Sequence, residues 1–406
     1  MPLDVHLWWW MLWENSDYMV HTDKVLAIDF FCGAGGMTNG LIQAGIHVIA
    51  GIDNKSLCEK TYRQNVNPDG TSPDFICKDI FPMTDEYPGG EQHEISKLLS
   101  KLIKKQTEQF GGSQPKLIFS FCAPCQPFTK ISHNKMTESR KSKRHKDSNL
   151  LLTTVHLIKK FRPDALICEN VEGIIGKGSV LSQFEALLDD VGYVFDAKVI
   201  NAAKFGVPQN RKRTIGLAVR KGRRKKVGIT VPDADPDLKK FVTVAETIGH
   251  LPPLAAGEAH PTIKNHRARS LSDINLKRIA SAPPGESNAY LGNTRYGDLS
   301  LNCHNRLEAK AGKASFSDTY TRMRGDNIGP TITTRCVSVS NGRFAHYDTD
   351  QIRGITAKEA ALLQTFPNEY VFYPDDGDEF ASVLIGNAVP PRLAKFFGRY
   401  LKEQIS

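Results

Sequence analysis

From residue 25 to residue 219 the chain alternates short apolar runs with segments of helical spacing, and its chemically unusual residues fall where the apolar runs stop. Runs at 25–31, 47–52, 75–78, 116–121, 165–168, 193–200 and 213–219 read as strands; 37–45, 56–65, 94–110, 149–161 and 181–190 carry helical periodicity. Such alternation predicts an α/β fold with a doubly wound, mostly parallel sheet. Ligands of such sheets lie at the carboxyl ends of the strands. The glycines at 33–36, Asp53, Asp79, Pro124, Cys125 and Glu169 all fall at those ends, which argues for one continuous site.

The texture changes near residue 222. A basic run, R-K-G-R-R-K-K, opens a polar, proline-rich stretch to about residue 327 without strand–helix alternation, which predicts a smaller, irregular second domain. The catalytic and cofactor-binding domain is expected over 24–221, and 328–406 is expected to return to it. Within that return, Thr356 and Glu359 have the spacing of a capping box opening a helix over 356–366, with Pro367 after its end. Residues 385–389 (I-G-N-A-V) read as a turn feeding a last helix. Residues 1–23 are expected to be an N-terminal extension. Their apolar start, M-P-L-D-V-H-L-W-W-W-M-L-W, lacks the basic region and cleavage site of a signal peptide and is too short to span a bilayer.

Composition narrows the function classes. The 406 residues are 40% hydrophobic and 24% charged, ordinary for a globular protein, and the formal net charge of +9 favours a polyanionic partner. Eight cysteines in a chain this long are no disulfide framework; reduced thiols and a cytoplasmic location are expected, with no membrane association.

Four motifs carry the chemistry. F-C-G-A-G-G, Phe31–Gly36, follows a strand and opens a helix, but it is not G-x-G-x-x-G, so no pyrophosphate fingerprint is met. A carboxylate such as Asp53 at the end of the second strand can accept from ribose hydroxyls or cap a helix, and Asp79 has the same two readings. Together they suit a cofactor with ribose and adenine but no pyrophosphate. In A-P-C-Q-P, the prolines beside Cys125 disfavour the helical start of a redox C-x-x-C pair, and no second pair completes a zinc site, so no metal is expected. Cys122 then reads as a strand-end thiol and Cys125 as the presented nucleophile. E-N-V places Glu169 at the end of the next strand, where a partly buried carboxyl can carry a proton. In Q-N-R-K-R, alternate residues Gln209, Arg211 and Arg213 share one face of an extended segment, suited to a carboxylate, a carbonyl oxygen or a phosphate.

D-F-F-C-G-A-G-G, P-C-Q-P-F, E-N-V-E-G, Q-N-R-K-R, L-Q-T-F-P and I-G-N-A-V-P-P occur in this order across nearly the whole chain. The ordered set resembles the cytosine-5 DNA methyltransferases of prokaryotic restriction-modification systems. The resemblance implies a Rossmann-like, S-adenosylmethionine-dependent catalytic domain, with 222–327 as the target recognition domain. It implies that Cys125 attacks carbon 6 of a flipped cytosine, that Glu169 engages ring nitrogen 3, and that Arg213 holds O2 and orients Glu169. Arg211 and Gln209 would support the active-site loop. S-adenosyl-L-methionine would lie over Phe31, Gly33, Gly35 and Gly36, with Asp53 at the ribose, Asp79 near the adenine amine, Pro124 alongside and Asn387 closing the site. The family usually has Glu where Asp53 stands. Double-stranded DNA is the implied partner, the basic segment 129–147 is implied to close over it, and a monomer with a cognate restriction endonuclease elsewhere is expected. Three alternatives stay open: a transfer-RNA-methylating relative, whose Cys-Phe-Thr signature is absent here, a catalytically silent DNA-binding relative, and a redox or NAD enzyme on the same sheet.

Overall fold

The computed structural model describes residues 25–109, 114–124, 149–222, 228–301 and 317–406. The N-terminal extension, Cys125 and the basic segment 129–147 therefore lie outside the described residues.

The seven expected runs form seven strands: β1 Val25–Phe30, β2 His47–Asp53, β3 Asp74–Cys77, β4 Lys116–Phe121, β5 Ala165–Asn170, β6 Tyr193–Asn201 and β7 Lys212–Arg220. They make one sheet in the order β3-β2-β1-β4-β5-β7-β6. Strands β3, β2, β1, β4 and β5 are parallel, whereas β7 runs antiparallel to both β5 and β6. Because β1, β4 and β5 are covered on both faces, they read as continuous apolar runs rather than as alternation.

One face carries α3 (Gln92–Gln109), the consecutive α4 (Leu150–Thr153) and α5 (Val155–Phe161), and α6 (Val180–Asp190). The expected helix over 149–161 is broken at Thr154. That residue is buried, and its hydroxyl donates to the Leu151 carbonyl at 2.6 Å, taking an acceptor the helix would otherwise use. On the other face lie α1 (Gly36–Gln43) and the last helix, Pro391–Ile405. The two pack so closely that a Cβ on Gly40 would meet the Pro391 carbonyl oxygen at 2.3 Å. The segment expected as a helix over 56–65 is a turn of 3₁₀-helix followed by the short α2 (Glu59–Tyr62).

Between 222 and 327 the described residues add no strand to the sheet; they hold two short helices, α7 (Val244–Ile248) and α8 (Asp273–Ala280), and a 3₁₀ turn. Further on, α9 (Ala357–Leu363) starts with the expected capping box, Thr356 and Glu359 each bonding the other's backbone N–H. The reading of 385–389 as a turn needs correction: Ile385, Gly386 and Asn387 are the last turn of α10 (Asp378–Asn387), and the chain turns at 388–390 before α11 (Pro391–Ile405). Gly386 signals close approach rather than a turn, since a Cβ there would fall 2.3 Å from the backbone of Thr333 and Thr334. No described helix is long and apolar enough to cross a membrane.

A buried ionic cluster secures α9. Arg353 donates to both oxygens of Glu359, at 2.7 and 2.8 Å, and His346 Nε2 stands 3.4 Å from Glu359 Oε1. Burial pushes the His346 pKa down to about 4, so the folded protein holds it neutral while an unfolded chain would take up a proton below about 6.5. Its contribution to stability is therefore fully present above about 6.5 and is lost as pH falls toward 4. His346→Gln, which keeps an N–H facing Glu359, is expected to lose about 3 kcal/mol less stability than the parent between pH 7 and pH 4. Denaturant titrations of both proteins at the two pH values check this; parallel losses would contradict it.

Candidate active site

The glycine segment after β1 is held from below by Asp29, a residue the sequence reading passed over. Asp29 is 0% exposed. Its Oδ2 accepts from the Thr38 N–H at 3.1 Å and the Thr38 hydroxyl at 2.7 Å, and its Oδ1 accepts from Ser120 Oγ on β4 at 2.8 Å. One carboxyl thus ties the first turn of α1 to the strand that leads into A-P-C. Burial raises its pKa to about 6, against the opposing pull of these hydrogen bonds. Its linkage runs opposite to that of His346: Asp29 favours the folded state fully below about pH 4 and loses that contribution as pH rises through 6.

Phe31 is half-buried, with a left-handed backbone (φ 61°), an uncommon state for a bulky residue. Asp53, at the end of β2, accepts from the Gly33 N–H with Oδ2 and from the Lys55 N–H with Oδ1, both at 3.0 Å. Burial raises its pKa, against these hydrogen bonds. Each oxygen keeps a lone pair for another donor. Asp79 caps its own turn: Oδ1 accepts from the Phe81 N–H at 3.0 Å, and its own N–H donates to Glu91 at 2.9 Å.

The three glycines differ in what surrounds them. A Cβ on Gly35 would strike Asn65 Nδ2 at 2.3 Å, and one on Gly36 the Val389 carbonyl at 2.3 Å. Both are small because the chain itself packs there. Gly33 has no atom within 4 Å of that position, so its face beside Phe31 and Asp53 leaves room for a ligand to approach the backbone. Pro124 and Asn387 are both exposed, Asn387 as the last residue of α10.

At the end of β5, Glu169 is 7% exposed. Arg213 Nε, at the start of antiparallel β7, stands 3.0 Å from Glu169 Oε1. The contact is an ion pair off the line of a hydrogen bond, and this buried oxygen has no hydrogen-bond donor from the described residues. The next residue, Asn170, donates from Nδ2 to the Ala123 carbonyl at 3.0 Å. Ala123 lies two positions before Cys125. The strand carrying Glu169 therefore fixes the backbone that leads toward Cys125, another contact the sequence reading missed. Cys122 sits at the end of β4 with its thiol pKa pushed well up by burial, which suits a packed side chain rather than a nucleophile.

Gln209 and Arg211 are placed differently from Arg213. Gln209 is fully buried; it donates to the Leu363 carbonyl at 2.9 Å and to Gln364 Oε1 at 2.6 Å and accepts from the Ile332 N–H at 3.0 Å. Arg211 donates to the carbonyls of Ile332, Gly386 and Ala388 at 2.9, 3.1 and 3.2 Å. These two side chains are committed to the returning C-terminal segment, and only Arg213 of the three meets Glu169.

Comparison with known proteins identifies the family and the fold. The model of the C-5 cytosine-specific DNA methylase family matches residues 25–403. The Type II methylase M.HgiDII of Herpetosiphon aurantiacus is 34% identical over 380 residues, 93% of this chain and 94% of the relative. The Type II methyltransferase M1.HphI of Haemophilus parahaemolyticus is 28% identical over 94% of this chain and 87% of its own length. Among solved structures, a candidate DNA modification methyltransferase encoded within an E. coli prophage superposes with a TM-score of 0.61 at 18% identity, covering 94% of this chain and 99% of its own. The S. pombe Dnmt2 methyltransferase superposes with 0.55 at 15% identity, covering 94% and 98%. At such identities the superpositions speak for the fold alone.

The glycine geometry yields a contrast. Gly36→Ala is expected to destabilise the fold by about 1–3 kcal/mol, since backbone must move to admit the methyl group. Gly33→Ala has room and costs about 1 kcal/mol through its positive φ, but it should weaken cofactor binding at least tenfold. Thermal melts with and without cofactor separate the two; a Gly33→Ala protein that binds cofactor normally would contradict the assignment.

Proposed function

The chain belongs to the C-5 cytosine-specific DNA methylase family and is a DNA (cytosine-5-)-methyltransferase of the Type II restriction-modification kind; from that premise we propose that Cys125 forms a covalent adduct with a cytosine flipped out of a short duplex sequence, and that the methylated DNA is thereby shielded from a cognate restriction endonuclease. The observation that carries this reading is the hydrogen bond from Asn170 to the Ala123 carbonyl, which ties the Glu169 strand to backbone two residues before Cys125 in the sequence.

Cytosine carbon 5 is a weak nucleophile. Addition of the Cys125 thiolate to carbon 6 makes carbon 5 enamine-like, provided ring nitrogen 3 is protonated or strongly hydrogen-bonded. Glu169 has a buried oxygen with hydrogen-bonding capacity to spare, and Arg213 holds that carboxyl in place from one side. Arg213 also supplies a cation for the base's O2. Gln209 and Arg211 serve by holding the wall behind them. When bound, S-adenosylmethionine supplies the electrophilic methyl group. Gly33 offers it open backbone, Phe31 a ring edge, Asp53 a carboxylate for the ribose hydroxyls and Asp79 an acceptor near the adenine amine, with Pro124 and Asn387 bordering the site. Asp53 is shorter than the glutamate usual in the family; its Oδ2 accepts from the Gly33 N–H, so the shorter side chain would fix the loop as well as meet the ribose. Loss of the carbon 5 proton and β-elimination free the thiolate. The target base must leave the stack, and the region 222–327 together with the basic segment 129–147 would hold the duplex while it does. The enzyme is read as a cytoplasmic monomer that needs no direct contact with the endonuclease.

Methylation-sensitive sequencing of DNA from a cytosine-methylation-free bacterial host tests the reading, with 5-methylcytosine confined to one short motif as the expected result. An absent mark in cells making soluble protein would redirect the search to transfer RNA. Cys125→Ser is expected to abolish methyl transfer while retaining DNA binding, and Cys122→Ser to keep most of the activity. Turnover by the Cys125→Ser protein, measured with radiolabelled cofactor, would refute the covalent mechanism.

A further inference from the structure

A second cationic feature lies at the end of the sheet opposite Glu169. There, Lys116 begins β4, Asp164 precedes β5, Arg220 ends β7, and Arg162 closes the helix before β5. With Lys221, Val219 and the last residues of α11, they line a cavity of about 500 Å³. Strand β5 separates its two ends by five residues, roughly 17 Å at 3.3 Å per residue, so nothing bound here touches Glu169 directly.

The cavity's charge is strongly one-sided. Asp164 is its one lining carboxylate, against Lys116, Arg162, Arg220 and Lys221. Asp164 is already committed: Oδ2 accepts from the Leu117 N–H at 3.0 Å, and Oδ1 accepts from Arg220 Nη2 at 2.7 Å. Lys116 Nζ lies 3.8 Å from the same Oδ1, too far for a hydrogen bond. Lys221 pairs with Asp189, which is 72% exposed, and such pairs hold loosely. Arg162 has no ion pair among the described residues.

The backbone of Arg162 supplies the second, independent observation. It sits at a helix C-terminus with φ 48° and ψ 54°, the left-handed state that glycine adopts without penalty. A non-glycine residue there costs about 1 kcal/mol, and a residue held in such a state is a candidate for a role of its side chain. A guanidinium at that point offers a planar donor fork suited to phosphate oxygens.

We infer that this cavity is a phosphate-binding site, remote from the chemistry, built by Lys116, Arg162 and Lys221, with Arg220 held in place by Asp164. Its ligand is a phosphate ester, from either of two sources: the backbone of a second stretch of DNA, or a small phosphorylated molecule. The inference draws on the DNA-methyltransferase reading for the first source and is independent of it for the second.

The test uses the full chain and a Lys116→Gln/Arg162→Gln/Lys221→Gln variant, folded as judged by circular dichroism. Fluorescence anisotropy gives the dependence of duplex affinity on salt for both, and melts with millimolar pyrophosphate report small-anion binding. If DNA is the source, the slope of log affinity against log salt falls in magnitude by at least about 0.9, one phosphate contact. If a small molecule is the source, the slope is unchanged while pyrophosphate raises the melting temperature of the parent and not of the variant. No change in slope together with no pyrophosphate-dependent shift in the parent overturns the proposal. Methylation of a saturating short duplex is expected to be unaffected, so a failure of the enzymatic reading shows separately. Arg162→Gly controls for structure: it should raise stability by relieving the left-handed backbone and still lose the phosphate effect, whereas a purely structural arginine would leave that effect in place.

Discussion

The fold's integrity at the active end rests on a buried polar contact between Gln209, Arg211 and Gln364. Gln209 bridges the Ile332 backbone and the Gln364 side chain, Gln364 donates onward to the carbonyls of Ile385 and Ala388, and Arg211 donates to Ile332, Gly386 and Ala388. Unpaired polar groups at this depth would be costly, so the network holds only when all its members are present. Three sequence motifs far apart in the chain, around 209, 364 and 386, therefore meet as one structural unit. A residue that contacts no substrate can still be indispensable to the site, because removing it strands the carbonyls of two other segments.

The strands were legible because each apolar run ends in turn chemistry, and the capping box at Thr356 was legible because both partners lie within one helical turn. The position of Glu169 at a strand end could be read from its place after an apolar run. Other features were not readable. The role of Asp29 depends on Ser120, ninety-one positions away, and that of Asn170 on Ala123, forty-seven away, so local pattern carries no trace of either. A lone Asp inside V-L-A-I-D-F was the available signal for Asp29, since a carboxyl in a buried run must find donors. The opposite error occurred at Gly386, where glycine was taken as a turn marker although packing against 333–334 requires it inside a helix. The shared-face reading of Gln209, Arg211 and Arg213 captured an extended segment but not its division of labour, which follows from what lies opposite each side chain.

Asp29 and Asn170 have a common design. Each is a polar side chain at the carboxyl end of a central strand that reaches sideways to backbone or hydroxyl on the neighbouring element. Asp29 joins the start of α1, after the glycine segment, to β4, and Asn170 joins β5 to the segment after β4. The three strands β1, β4 and β5 thus hold their loops in mutual register, which is the precision a reaction between three positioned groups needs.

The antiparallel β7 has a consequence for how the stretch that follows it is tied down. Its first residues carry Arg213 to the reactive end, so its last residues leave at the opposite end, and the polypeptide runs on into 222–327 from there. On the way it is fastened at a few points: the Val231 N–H to Asp196, Tyr400 to the Thr230 carbonyl, and the Asp235 N–H to the Lys204 carbonyl. A lengthened, shortened or exchanged insert would pull on these fastenings where it leaves the sheet and, at its return, on Gly329, whose N–H donates to the Pro208 carbonyl. Strain from the insert therefore reaches Arg213 through residues 208–211, the stretch that the buried bonds of Gln209 and Arg211 hold in place.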